Sequence, residues 1–352
     1  MRTVALLLGL AASRALAYPG LGRIMTDIGA RDDFAFGARS TIVFGDLTQG
    51  SLSKTGDDIK GILQGGPATS GDSSAYTPPG SLNSTACSND PLCLWYYVAQ
   101  DMADDFADAN GCTDLARGAI RQGFHDAGAW DVHAPYGGAD GSLLLSDELS
   151  RPENLGLQSI GDRTREWYDE YHQYGAGMAD IIQTATIVAV VSCPGGPRIR
   201  AFAGRKDDSR AALPNLLPSP FQTAQELIDL FVAKTFTASD LVALVGAHTA
   251  SKQFFVDPSR AGAPQDSDPQ KWDTTFYRET LQGDNKTILI FPSDKALATY
   301  SGTKGQWNTF AGNGGQAQWN PAFAQSYFRM SMLGVNNMND LTEITKVIPL
   351  PR

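Results

Sequence analysis

The sequence predicts a mostly α-helical protein. Three observations carry this: helix-capping motifs recur along the chain, apolar residues repeat at helical spacing behind them, and strand-like alternation is scarce. Asp90-Pro91 reads as an N-cap with proline at the first helical position, where a missing N–H costs nothing. A second helical run covers 114 to about 128. Thr223-x-x-Glu226 is a capping box, and Leu227, Ile228, Phe231 and Val232 behind it share one face. Thr237-x-x-Asp240 caps a further helix, expected over 241 to about 252. Asn320-Pro321 predicts the opening of another, with Phe323, Tyr327 and Met330 on its face and Gly334 placed to end it. The best strand candidate is the short run Thr287-Ile288-Leu289-Ile290-Phe291.

The chain has 352 residues, roughly two domains' worth, of which 42% are hydrophobic and 19% charged, so the body is neither disordered nor fibrous. Its 28 Lys+Arg stand against 38 Asp+Glu, a net charge of −10. With no basic stripe, that balance argues against nucleic acid as a partner and against an anionic membrane surface. Four cysteines suffice for two disulfides in a secreted protein and leave three pairings open.

Met1-Arg2-Thr3, the apolar run from Val4 to Ala12 and the small-x-small Ala15-Leu16-Ala17 read as a signal peptide over 1–17, cut before Tyr18. No later run is long enough to span a bilayer. The protein is therefore expected to be secreted, with Asn83 and Asn285 as glycan acceptors. Residues 18–86 are expected to be an N-terminal extension. From about 40 they are rich in Gly, Ser, Thr, Asp and Pro and read as a linker or loosely packed segment. Every cysteine lies at or after Cys87, so the stapled body is expected over 87–352.

Three clusters carry chemistry. In Arg121-Gln122-Gly123-Phe124-His125-Asp126, Arg121 and His125 are four apart and share a helix face, with Phe124 beside them. A guanidinium and an imidazole projecting together can stabilise an oxyanion and shuttle a proton; alone, the cluster reads more readily as a surface Arg–His pair. Tyr136-Gly137-Gly138-Ala139-Asp140-Gly141-Ser142 offers a carbonyl, a carboxylate and a hydroxyl which, with Asp126, make an oxygen-only set suited to Ca²⁺; a glycine-rich turn is the alternative. His248-Thr249 ends the very apolar run from Leu241, and Asp266, Asp268 and Asp273 downstream are again spaced for Ca²⁺; alone, a satisfied core histidine and a solvated acidic loop are the alternatives. Asp294 places an acid in a turn further on.

Taken in order, Arg-x-x-Phe-His-Asp-Ala, Gly-Gly-Ala-Asp-Gly-Ser, Gly-Ala-His-Thr and Trp-Asp-Thr-Thr-Phe-Tyr resemble the plant-type heme peroxidase superfamily. The Phe before the first histidine and the secretion signal make the chain similar to the fungal secretory peroxidases, the group containing the lignin and manganese peroxidases. The resemblance covers about 87 to 333. It implies a two-domain helical fold with heme between a distal half (about 87–210) and a proximal half (about 211–352). It also implies a monomer, heme b and two Ca²⁺, and H₂O₂ as the oxidant of heme. Two one-electron reductions by small phenols or aromatic amines at the heme edge would follow.

By the same resemblance, His248 matches the axial ligand of the heme iron, and Asp294 the acid that accepts from its other ring nitrogen. His125 matches the distal base, Arg121 the group that stabilises separating charge, and Phe124 the apolar residue over the heme. Asn154 matches the residue that accepts from His125, and Glu148 the acid that supports the asparagine. One Ca²⁺ would take Asp126, Gly138, Asp140 and Ser142. The other would take Thr249, Asp266, Asp268, the Lys271 carbonyl and Asp273. The resemblance pairs Cys87 with Cys93 and Cys112 with Cys193, and the family's C-terminal disulfides have no cysteines here.

The departures narrow the function. The positions matching the three Mn²⁺-binding carboxylates are Asp114, Gly118 and Phe254, so one acid of three remains and no efficient Mn²⁺ site is expected. The position of the surface tryptophan of lignin and versatile peroxidases is Ala243. Trp95, Trp130, Trp167, Trp307 and Trp319 remain as electron-entry candidates, and Trp272 reads as packing. Gln265 stands where the family has an aromatic residue against the proximal imidazole. A secreted heme- or calcium-binding protein with little turnover is the alternative; Gln265 and the missing disulfides favour it, and the intact distal pair argues against it. A calcium-stabilised hydrolase would need a Gly-x-Ser-x-Gly or His-Glu-x-x-His motif, which the chain lacks.

Overall fold

A computed structural model describes residues 38–283 and 286–352. The expected signal peptide and the candidate glycan acceptor Asn285 lie outside the described residues. Among the described residues are eleven helices of eight residues or more. These are α1 (Lys54–Leu63), α2 (Cys93–Phe106), α3 (Asp114–Ala127), α4 (Gln158–Tyr171), α5 (Met178–Ser192), α6 (Ala224–Val232), α7 (Ala238–Val245), α8 (Thr275–Gln282), α9 (Pro292–Thr299), α10 (Lys304–Ala311) and α11 (Gly315–Met330). The only sheet among these residues is one antiparallel pair, β1 (Phe202–Ala203) with β2 (Thr342–Glu343), in the register Phe202 opposite Glu343. The mostly α expectation holds.

The central helix is α5. All of its residues from Met178 to Ser192 are buried, because α3 covers one side and α2 another. Close approach of α3 depends on Gly123, where a Cβ would sit 2.0 Å from Thr186 Oγ1 and 2.5 Å from Tyr327 Oη. On the other side of the molecule, α7 packs on α11 above an aromatic cluster. Trp272 stacks on Trp319 at 4.8 Å, and Tyr277 meets Trp307 edge-on at 5.0 Å. All six tryptophans are buried.

Several sequence expectations change. The segment from 40 to 63 is not a loose linker. Its Ile42, Phe44, Leu47, Ile59, Ile62 and Leu63 join the core, and buried Arg329 of α11 donates to the carbonyls of Ile42 (2.8 Å), Ser40 (3.0 Å) and Leu63 (2.9 Å). Its polar residues form joints: the Asp46 carboxylate accepts from the backbone N–H of Met338 at 2.9 Å, and Ser53 Oγ caps α1. A composition window averages these anchors away. The helix expected to run to about 252 ends at Val245, and a 3₁₀ turn, Gly246–Ala250, continues it. The helix expected to open at Asn320-Pro321 already begins at Gly315, because burial of Trp319 holds the turn ahead of the proline. Residues 287–291 form no strand; Ile288, Leu289 and Ile290 are buried, and Leu289 N–H donates to the Pro264 carbonyl at 2.9 Å.

The disulfides are Cys87–Cys93 and Cys112–Cys193, the pairing implied by the resemblance. The C-terminal segment is tied by buried Arg198, which donates to the carbonyls of Ile348 (2.8 Å) and Thr345 (2.7 Å), and by the paired Arg200–Glu343 contact at 2.7 Å. It is therefore held by buried hydrogen bonds as well as by packing. The Cys112–Cys193 bridge closes a loop with sequence separation 81. Replacing both cysteines by Ser is expected to remove about 4.5 kcal/mol of unfolding free energy, by the chain-entropy scale for loops of that size. Urea titration of the double variant checks this, and a loss under about 1 kcal/mol would refute it.

Candidate active site

Helix α3 starts at the cap Thr113, whose hydroxyl accepts from Ala116 N–H, and its last turns carry Arg121, Phe124 and His125. The four-residue spacing brings Arg121 Nε to 3.2 Å from His125 Nε2. The other arms of Arg121 donate to the carbonyls of Leu155 (2.7 Å) and Glu153 (2.9 Å), which fixes the fork. On the far side of the ring, His125 Nδ1 lies 2.7 Å from Asn154 Oδ1. An amide oxygen only accepts, so Nδ1 carries the proton and Nε2 keeps its lone pair. Asn154 is oriented in turn by donating to a carbonyl at 2.7 Å, which is the backbone oxygen of Glu148. This corrects the expectation that the Glu148 carboxylate supports the asparagine; that carboxylate accepts from Ala212 N–H at 2.8 Å instead.

Burial, then the neighbouring Arg121 charge, push the His125 imidazolium down to about 3, while the Asn154 bond opposes them. Arg121 falls to about 10 through burial and stays charged at neutral pH. The pair is thus a neutral imidazole beside a fixed cation. Phe124 stands edge-on to His125 at 5.6 Å and stacks on Phe231 at 6.3 Å. The sequence placed Phe231 on a helix face but not against Phe124, and the carbonyls that hold Arg121 could not be read from side-chain type.

The second histidine centre sits on the 3₁₀ turn behind α7. Gly246 at its start is required by close approach, since a Cβ there would lie 2.3 Å from Tyr277 Oη. His248 Nδ1 lies 3.1 Å from Asp294 Oδ2, in the first turn of α9. Phe276 and Phe291 meet the ring edge-on at 5.6 and 5.5 Å. The side chain remains 32% exposed, so Nε2, the nitrogen not engaged by Asp294, is available to a metal. Gln265 lies against the same pair, as its position in the sequence suggested.

Parts of the two candidate calcium sets lie close together. Asp126 is buried, and burial together with Asp140 raises its carboxyl well above the usual range. Burial raises Asp140 to about 6, against the hydrogen bond from Ser142 N–H at 3.0 Å. Ser142 Oγ is buried without a hydrogen-bond partner, an orphaned oxygen that a cation would satisfy. In the second set, Thr249 Oγ1 donates to Asp266 Oδ2 at 2.5 Å, and burial lifts Asp266 to about 7. Asp268 pairs with Lys271 Nζ at 2.6 Å. No three His, Cys, Asp or Glu side chains converge on one point among the described residues; both sets mix carboxylates with hydroxyls and backbone carbonyls, a hard-oxygen chemistry.

A nearly strand-free helical protein with these two histidine centres is a heme enzyme that acts on peroxide. The chain belongs to the peroxidase family: a family model described as Peroxidase matches residues 98–313. It is 31% identical over 315 residues to a peroxidase of Arthromyces ramosus, covering 82% of each chain. It is 30% identical over 290 residues to ligninase C of Trametes versicolor, covering 75% of this chain and 76% of the relative. Manganese peroxidase 3 of Phlebia radiata is 31% identical over 288 residues, covering 75% and 78%. Heme and H₂O₂ chemistry follow from family membership, and the chain groups with the fungal class II peroxidases.

Proposed function

We propose that this peroxidase is secreted and oxidises small phenolic or aromatic donors by one-electron steps at the heme edge, with no efficient Mn²⁺ site. Heme would be held by His248 Nε2 and, when bound, would supply the redox chemistry. The chain's own residues do the rest. His125 Nε2 accepts the proton of the peroxide oxygen that attacks and returns it to the departing oxygen, which leaves as water. Arg121, anchored by the Leu155 and Glu153 carbonyls, offsets the charge that develops between the two oxygens. Asn154 keeps the base in its working tautomer. The ions at Asp126 and Thr249 would pin the turns that carry His125 and His248.

The state of Asp114 carries the donor assignment. It is the one carboxylate left of three, and it is engaged by two cations, Arg117 Nη2 at 2.5 Å and Lys252 Nζ at 3.0 Å. Gly118 offers no ligand, and Phe254 presents an exposed ring. Ala243 is wholly buried, with its carbonyl taken by Trp319 Nε1 at 2.8 Å, so a side chain there does not reach solvent. Burial of all six tryptophans leaves small donors at the heme edge as the favoured route. Among the described residues no helix is long and apolar enough to cross a membrane.

The test is stopped-flow spectroscopy of the heme-loaded protein, oxidised with stoichiometric H₂O₂ and then mixed with a phenol or with Mn²⁺. The phenol is expected to restore the resting Soret band at least about 10²-fold faster than Mn²⁺ at equal concentration, a factor set by loss of two carboxylate ligands. Comparable rates would overturn the donor assignment.

A further inference from the structure

We infer that Gln265 sets the donor strength of His248 by competing with it for a single oxygen of Asp294. The inference rests on the reading of His248 as the iron ligand. Gln265 is 2% exposed and its Nε2 lies 3.0 Å from Asp294 Oδ2. That same oxygen lies 3.1 Å from His248 Nδ1. A carboxylate oxygen only accepts, so it turns the amide nitrogen toward itself. Ser251 Oγ donates to Gln265 Oε1 and pins the amide from its other end. Asp294 Oδ1 is buried with no hydrogen-bond partner, so the hydrogen bonding of the carboxylate is concentrated on Oδ2.

Two donors therefore share one acceptor. Gln265 Nε2 and His248 Nδ1 are themselves only 3.1 Å apart, and with iron on Nε2 the Nδ1 position carries a proton. Two N–H groups facing one oxygen at that separation repel, and each receives less of its negative charge than it would alone. The His248 proton is then drawn less toward Asp294, and the ring is less anionic. A less anionic imidazole donates less to a metal on its other nitrogen. Ferric iron depends on that donation more than ferrous iron does. Gln265 accordingly favours the ferrous state relative to the same site without it. Gln265 is a positioning residue, acting through Asp294 and His248 with no contact to substrate required.

The experiment uses the full-length heme-loaded protein, the Gln265→Leu variant and the Ser251→Ala variant. Two quantities are read: the iron–histidine stretching band of the ferrous protein by resonance Raman, and the ferric/ferrous midpoint by spectroelectrochemistry. In Gln265→Leu the band is expected to rise and the reduction equilibrium to shift about tenfold toward ferric iron, about 59 mV for a one-electron couple. Ser251→Ala is expected to move both in the same direction by less, because the amide is then free to turn. A purely packing role would change thermal stability and leave band and midpoint in place; that result in the variants that retain heme overturns the inference. Should Gln265→Leu fail to hold heme, Ser251→Ala decides alone. Absence of any iron–histidine band in the unaltered protein removes the ligand reading and this inference with it, whereas a band unmoved by both substitutions removes only the role of Gln265.

Discussion

Replacing His125 by Leu is expected to slow the reaction of the ferric protein with H₂O₂ by about 10⁴-fold, the upper end of what a positioned acid–base group contributes. The upper end applies because one nitrogen serves twice, taking a proton from one oxygen and delivering it to the next. Among the described residues no other titratable side chain stands in for it at that position: Arg121 is a donor, and Asn154 faces Nδ1. The same geometry sets the pH dependence. The base works when neutral, and burial with the Arg121 charge puts its pKa at about 3. The rate is therefore expected to stay level from neutral pH down to about 4 and to fall as pH drops through about 3. Loss of the Soret band in a stopped-flow spectrometer measures both. A Leu variant within tenfold of the unaltered rate, or a fall already complete near pH 6, would show that His125 is not the base.

Removing calcium is expected to produce the largest loss of stability. Ions present at about 100-fold over their dissociation constants contribute ~2.7 kcal/mol each, so stripping two is expected to lower unfolding free energy by about 5 kcal/mol. The buried carboxylates give the reason. Asp126, Asp140 and Asp266 all have raised pKa values, which marks charge buried with too little compensation from the protein alone. The loss should reach the chemistry, because Asp126 follows His125 and Thr249 follows His248. Chelator-treated protein is therefore expected to unfold at lower temperature and to react more slowly with H₂O₂, with both effects reversed by added Ca²⁺. Elemental analysis showing no bound calcium, with melting unmoved by chelator, would remove the two sites from the description.

Much of the site was legible because its chemistry is local in sequence. Arg121 and His125 share a face by helical periodicity, and α3 puts them 3.2 Å apart. Thr223-x-x-Glu226 and Thr237-x-x-Asp240 signal helix starts through side chains that bond to the adjacent backbone, and both capping boxes are formed. The ordered motifs then tied distant positions together through family resemblance, including His248 with Asp294 and Asn154 with His125.

What the sequence by itself determined is the set of chemical groups and their local spacing: a mostly helical chain, an Arg–His pair on one face, a histidine ending an apolar helix, and oxygen ligands at calcium spacing. Only the tertiary structure decided which groups share a partner. The Glu148 carbonyl, not its carboxylate, holds Asn154, and Gln265 meets His248 over one oxygen of Asp294. It also decided that a glycine- and serine-rich stretch is core, because Ile42, Phe44 and Leu47 are buried and Arg329 donates to nearby carbonyls. The first and the last share a physical reason. Every residue carries a backbone carbonyl, so its use leaves no mark on residue type, and burial of a short segment depends on surfaces supplied hundreds of residues away.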